Sequence, residues 1–124
     1  MHLVQKYLEL ANEIVLFDEY ENKKAVKEYN RKVTQMRKIA SQIESSYPTL
    51  KNEFCELLSH NNESIRIWVA HHVLEVMNCD QCYRKVALQE IVHRANTDPT
   101  VGGLGNKMWL EDWYKTHPTD KLLL

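Results

Sequence analysis

The chain has 124 residues, enough for one domain with a real core, and its 44% hydrophobic and 27% charged residues make it too apolar for a disordered segment. With 16 Lys and Arg against 17 Asp and Glu, the net charge is −1, without the basic excess that marks many nucleic-acid binders. No apolar stretch is long enough for a membrane span, MHLVQKYLELANE meets polar residues too early for a secretory signal, and three cysteines are an odd set for a disulfide framework; together these predict a cytoplasmic protein.

Three glycines and three prolines are too few turn residues for an all-β fold, and the hydrophobic spacing is helical almost throughout, so the fold class expected is all-α with six helices. The first helix runs from about Leu3 to Phe17, with Leu3, Val4, Tyr7, Leu8, Ala11, Ile14 and Val15 on one face. Residues 18–22 form a turn. The second carries Val26, Tyr29, Val33, Met36, Ala40 and Ile43 in steps of three and four, and ends before Pro48, which can open the next helix but not continue this one. The third spans about Thr49 to Ser59, with Phe54, Leu57 and Leu58 inward. Asn62 is the expected N-cap of the fourth, Glu63 to Met77, which buries Ile65, Val69, Val73 and Val76. The fifth covers Gln81 to Ala95 with Val86, Leu88, Ile91 and Val92 apolar, and a sixth ends near Thr116, before His117-Pro118. Residues 1–118 make a single domain, and 119–124 a short frayed tail.

All three glycines fall in Asn96-Thr-Asp-Pro-Thr-Val-Gly102-Gly103-Leu-Gly105-Asn-Lys107. A phosphate-binding loop needs Gly-Lys-Ser/Thr after a strand, and a dinucleotide site needs Gly-x-Gly-x-x-Gly; neither spacing is present. Asp98 as N-cap and Pro99 as first helical residue instead put the glycines in the first turns of helix six. Glycine there costs about 1 kcal/mol per residue against alanine, so the expected return is close packing against helix four or five, with Trp68 a candidate neighbour.

Cys79-Asp-Gln-Cys82, with His71 and His72 upstream, offers half a zinc site, but the remaining ligands would have to be improvised from Cys55 or His93; no metal and no other cofactor is expected. The six histidines, at 2, 60, 71, 72, 93 and 117, come with no nucleophile motif. His71 and Glu75, four apart, make either an acid–base pair or an ordinary surface pair, and the surface reading is preferred.

Two internal shifts relate the helical segments. Phe54, Leu57 and Leu58 fall on Leu88, Ile91 and Val92, while Ile65, Val69, Val73 and Leu74 fall on Val101, Gly105, Trp109 and Leu110. Such a pattern is that of stacked helical hairpins. The outward positions of helix four, Trp68, His71 and Glu75, then pair with Leu104, Lys107 and Glu111, and Asn78 with Tyr114. Helical stacks bind partners through such ladders, so Trp68, His71, Glu75, Lys107, Glu111 and Tyr114 are the candidate partner-binding residues. Trp68 is open between core and interface; Trp109 and Trp113 read as core.

The run from Leu57-Leu58 through Ile65-Arg66, Ala70 and Leu74 resembles a HEAT-type repeat, although the second unit has Gly102 where the repeat arginine stands and Asn106 where the alanine stands. In the resembled pattern the arginine braces the preceding turn, here with Asn61, Asn62 and backbone carbonyls as acceptors. The chain as a whole is similar to a small bacterial family of HEAT-like proteins, some of which resemble toxin-immunity proteins. That resemblance implies an α-α superhelix and a non-enzymatic protein-binding function, the partner being a toxin domain. The alternatives are an enzyme using His71 and Glu75, and a nucleic-acid binder using Lys24, Lys27, Arg31 and Lys38 of helix two, although Glu21, Glu28 and Glu44 interrupt that basic run.

Overall fold

A computed structural model describes residues 2–124, and the protein is all-helical, with no strand among the described residues. The helices are α1 (Leu3–Val15), α2 (Lys23–Ser46), α3 (Lys51–Cys55), α4 (Glu63–Glu75), α5 (Gln81–Thr97) and α6 (Val101–Thr116). Side chains cap five of them. His2, Asn22, Asn62, Asp80 and Thr100 each accept a hydrogen bond from a backbone N–H of the first turn that has no partner within the helix.

Three boundaries differ from the expectation. The third helix is a single α turn between 3-10 segments at Pro48–Leu50 and Glu56–Ser59. Its tighter bonds, Leu50 N–H to Tyr47 O at 2.9 Å and His60 N–H to Leu57 O at 3.0 Å, fit a run held by Phe54, Cys55 and Leu58 rather than by its own length. Helix six is capped by Thr100 and not by Asp98. Asp98 already ends α5, donating its N–H to Arg94 O, and its carboxylate holds the Thr100 N–H and hydroxyl. The last residues are ordered into a 3-10 segment, Pro118–Leu123, because Asp120 is buried: it pairs with Arg84 of α5 and accepts from Trp113 Nε1 at 2.8 Å.

α1 packs on α2, and α4 lies at the centre, touching α1, α2, α3 and α5; α5 in turn carries α6 and the C-terminal 3-10 segment. Tyr7, Met36, Ile43, Phe54, Ile65, Val69, Val73, Leu88 and Ile91 are fully buried between these elements, with Tyr7 and Phe54 meeting edge to face at 4.7 Å. Leu10, Ile39, Ala87 and Ala95 join this core, whereas Val86 is exposed. Arg66 braces the preceding turn as expected, donating to His60 O at 2.8 Å and Asn61 O at 3.3 Å, and it also reaches Glu90 of α5 at 2.7 Å.

The glycines separate into distinct cases. A Cβ on Gly103 would lie 1.9 Å from the Asp98 carbonyl oxygen, so only glycine lets α6 start so close to the end of α5. The close approach is therefore to the end of α5 and not to Trp68. A Cβ on Gly102 would meet side chains only, the Asp98 carboxylate at 2.8 Å and the Thr100 hydroxyl at 3.4 Å, and Gly105 faces open space.

Candidate functional site

Trp68, His71 and Glu75 lie three and four residues apart on α4, so they form one strip beside the buried Val69 and Val73. Arg37 of α2 approaches from one side, and Gly102 and Asn106 of α6 from the other; the space between is a cleft of about 510 Å³. Val33 and Ile67 extend its apolar wall, and Arg94 of α5 completes the lining.

Glu75 is the hub. One carboxylate oxygen accepts from Arg37 at 2.9 Å, and the other from His71 Nδ1 at 3.2 Å and Trp109 Nε1 at 3.1 Å. Burial opposes its charge, but the bonds from His71 and Arg37 and their charges outweigh it and hold the carboxyl down at about 2. His71 Nε2 meets the Asn106 side-chain oxygen at 2.8 Å, and Asn106 is oriented by donating its amide to Gly102 O at 2.7 Å. The imidazole also stands edge-on to Trp109, centroids 4.6 Å apart. Both His71 nitrogens are thus engaged within the protein.

His72, its sequence neighbour, turns inward and is 3% exposed, its Nδ1 sharing a hydrogen bond of 2.7 Å with the Tyr7 hydroxyl. Burial, helped by the Arg37 and His71 charges and opposed by Glu75, pushes its pKa down to about 4, so it is a neutral core histidine near pH 7. Adjacent histidines of one helix therefore serve the cleft and the core respectively.

The chemistry left open to the cleft follows from which charges are spent. Glu75 is ionised and fully hydrogen-bonded, which suits a positioning anchor better than a proton acceptor at neutral pH. Arg37 uses Nη1 on Glu75 and keeps a half-exposed guanidinium. Arg94 makes only a 3.7 Å ion pair with Asp98, and its Nη2 is buried without a hydrogen-bond partner; Glu90 Oε2, one turn earlier on α5, is the other such atom among the described residues. The cleft wall is apolar and aromatic; Glu75 is paired with Arg37 and Arg94 with Asp98, and the half-exposed Arg37 guanidinium is the charged head that the cleft leaves open.

Of the six residues singled out in the sequence, Trp68, His71 and Glu75 converge here and the other three do not. At about 100° per residue, Glu111 sits on the side of α6 away from Trp109. Lys107 and Glu111 are exposed, and Tyr114 is half-buried beneath the Lys121 ammonium, 5.0 Å from the ring centroid. The internal correspondence behind the ladder holds at Leu74 and Leu110, both buried, and fails at Ile65 and Val101, 0% and 86% exposed. Leu104, paired with Trp68 in that ladder, is exposed away from the cleft lining. The α6 contribution comes instead from Asn106 and Trp109, the latter half-buried rather than core. Asn106 had a visible signal, a polar residue where the repeat pattern wants a small one; Arg37 had none, since nothing in α2 says which part of it meets α4.

The other candidates are also placed. Cys55 Sγ lies 3.5 Å from Cys79 Sγ, Cys82 and His93 are exposed, and no group of three or more His, Cys, Asp or Glu that could hold a metal ion occurs among the described residues. On α2, Lys24, Lys27, Arg31 and Lys38 share one exposed face, where Arg31 is paired with Glu28 and bonded to Gln35 at 3.2 Å. Among the described residues, no helix is long and apolar enough to cross a membrane. Comparison of the chain with protein-family models, with curated proteins and with solved structures found no match.

Proposed function

We propose that the protein is a non-enzymatic binding module whose cleft between α2, α4 and α6 receives an acidic, partly apolar patch of a partner protein. The observation that carries this reading is the combination of Trp68, Val33 and Ile67 with the half-exposed guanidinium of Arg37, which spends only Nη1 on Glu75. An aromatic anchor with cations around it is the usual composition of an interface centre, and the exposed Lys27 and Lys38 nearby on α2 extend the same sign outward. Both nitrogens of His71 are occupied by Glu75 and Asn106, which favours binding over acid–base chemistry. The resemblance of the whole chain to a small bacterial HEAT-like family, some of whose members resemble toxin-immunity proteins, supports a toxin domain as the partner, sequestered in an immunity role in the cytoplasm. In this reading Lys107, Glu111 and Tyr114 fall outside the contact centre.

The test is recovery of the partner from the native host, followed by titration of the purified partner against wild type, Trp68→Ala, Arg37→Glu and Glu111→Lys. Trp68→Ala is expected to cost about 2 kcal/mol of binding, roughly thirty-fold, and Arg37→Glu to slow association, while Glu111→Lys binds like wild type. Folded Trp68→Ala and Arg37→Glu variants that bind as tightly as wild type would overturn the site. A ligand that proves to be nucleic acid, lost on reversing Lys27 and Lys38 and indifferent to Trp68, would replace the reading.

A further inference from the structure

Cys55 is the last residue of α3 and Cys79 lies in the turn between α4 and α5; they are 24 positions apart in sequence, yet their sulfurs are 3.5 Å apart. Both are free thiols, one buried and one half-buried, while Cys82 stands exposed in the first turn of α5. From this geometry we propose that Cys55 and Cys79 are a reversible disulfide-forming pair, a modification site whose substrate is a low-molecular-weight disulfide of the glutathione type. A disulfide needs its sulfurs about 2 Å apart, so the two must draw together by roughly 1.5 Å.

The surroundings divide the roles between the two sulfurs. The contact between the two sulfurs lowers the Cys79 pKa against the effect of burial and raises that of Cys55. Lys51 adds a positive charge beside Cys79, opposed by Glu44 and Asp80; Lys51 itself is pinned between Glu44, at 2.7 Å, and the Asn78 carbonyl, at 2.9 Å. Cys79, the more accessible of the two sulfurs, is therefore the attacking thiolate, and the buried Cys55 is the resolving thiol. Cys79 Sγ attacks one sulfur of the small disulfide, whose other half leaves as a thiolate and takes up a proton. Cys55 then gives up its proton, and its thiolate attacks Cys79 Sγ and expels the second small thiol. Two protein thiols are oxidised to one disulfide, and one small disulfide is reduced to two thiols. The bond would fasten the end of α3 to the turn that follows Glu75.

The experiment treats the reduced full chain with oxidised glutathione, alkylates the remaining thiols under denaturing conditions, and maps the bridges by mass spectrometry, alongside Cys82→Ser and Cys55→Ser. The expected result is a Cys55–Cys79 cross-link with loss of two hydrogens in both wild type and Cys82→Ser, reversed by dithiothreitol. Cys55→Ser should halt at a glutathione adduct on Cys79. Cys55 recovered fully alkylated from Cys82→Ser, or a wild-type chain whose dominant bridge is Cys79–Cys82, would overturn the proposal. The Cys82→Ser arm decides the matter even if Cys55→Ser does not fold.

Discussion

A single oxygen separates the behaviour of two glycines in the same helix. Gly103 faces the Asp98 carbonyl at a distance no Cβ can share, whereas Gly105 faces nothing within 4 Å. Alanine at 103 must push α6 off the end of α5, and overpacking of this kind costs about 1–3 kcal/mol. Alanine at 105 removes the helix penalty of glycine and is expected to gain about 0.5–1 kcal/mol. Chemical denaturation of both variants should show these opposite signs; equal effects would contradict the close approach. At the same scale, His72 sets an acid limit on stability. Its folded pKa of about 4 lies below the usual 6.5, so below that pH the unfolded chain takes a proton that the folded chain refuses. Stability should fall by up to about 3 kcal/mol as the pH drops from 6.5 to 4. Glu75, held down at about 2, lends stability above pH 4.5 that is lost on further acidification towards 2. Urea midpoints from pH 7.5 to 4.5 test the first window. His72→Asn, whose amide can still meet Tyr7 without titrating, should give a flatter profile than wild type, and parallel profiles would count against the assignment.

Elements were legible in the sequence where one apolar strip faced one neighbour. Met36, Ala40 and Ile43 of α2 and Ile65, Val69 and Val73 of α4 are buried as their spacing predicts, and Asn62 caps α4 as expected. The reading weakened where an element serves two neighbours or derives its order from elsewhere. In α5, Ala87 and Ala95 go inward and Val86 outward, because small residues permit the contacts to α4 and α6 that periodicity of large side chains does not reveal. The C-terminal 3-10 segment depends on Asp120, an acidic residue that reads as solvent-facing until Arg84 and Trp113 are known to enclose it; His117 stacks on the same indole at 3.8 Å. Asp120→Ala should therefore cost about 2 kcal/mol, less than the 3–5 kcal/mol of a fully buried broken pair because Arg84 retains some exposure. The same variant should open the tail to proteolysis. Asp120→Asn, which keeps an acceptor for the Trp113 N–H, should fall between it and wild type in urea unfolding; wild-type stability for Asp120→Ala would mean the tail is held by other contacts.

For the whole molecule, half of the candidate site was visible in one helix and half depended on how others cross it. Trp68, His71 and Glu75 follow from the spacing along α4, but Arg37 and Trp109 come from segments 38 and 34 positions away from Glu75, and only packing brings them to it. On α6 the helix turns Gly103 and Leu110 inward, which leaves Lys107 and Glu111 outside the cleft. The chain's three tryptophans report directly on this arrangement, since Trp68 lines the cleft, Trp109 donates to Glu75 behind it, and Trp113, stacked on Trp109 with centroids 4.8 Å apart, donates to Asp120. The most direct test of the binding cleft is therefore the NMR spectrum of the three indole N–H groups on addition of the partner. The Trp68 signal is expected to move most, with Trp109 next and Trp113 least, through its stack on Trp109; movement of Trp113 alone, or saturation of the complex with Trp68 and Trp109 unmoved, would contradict the binding cleft.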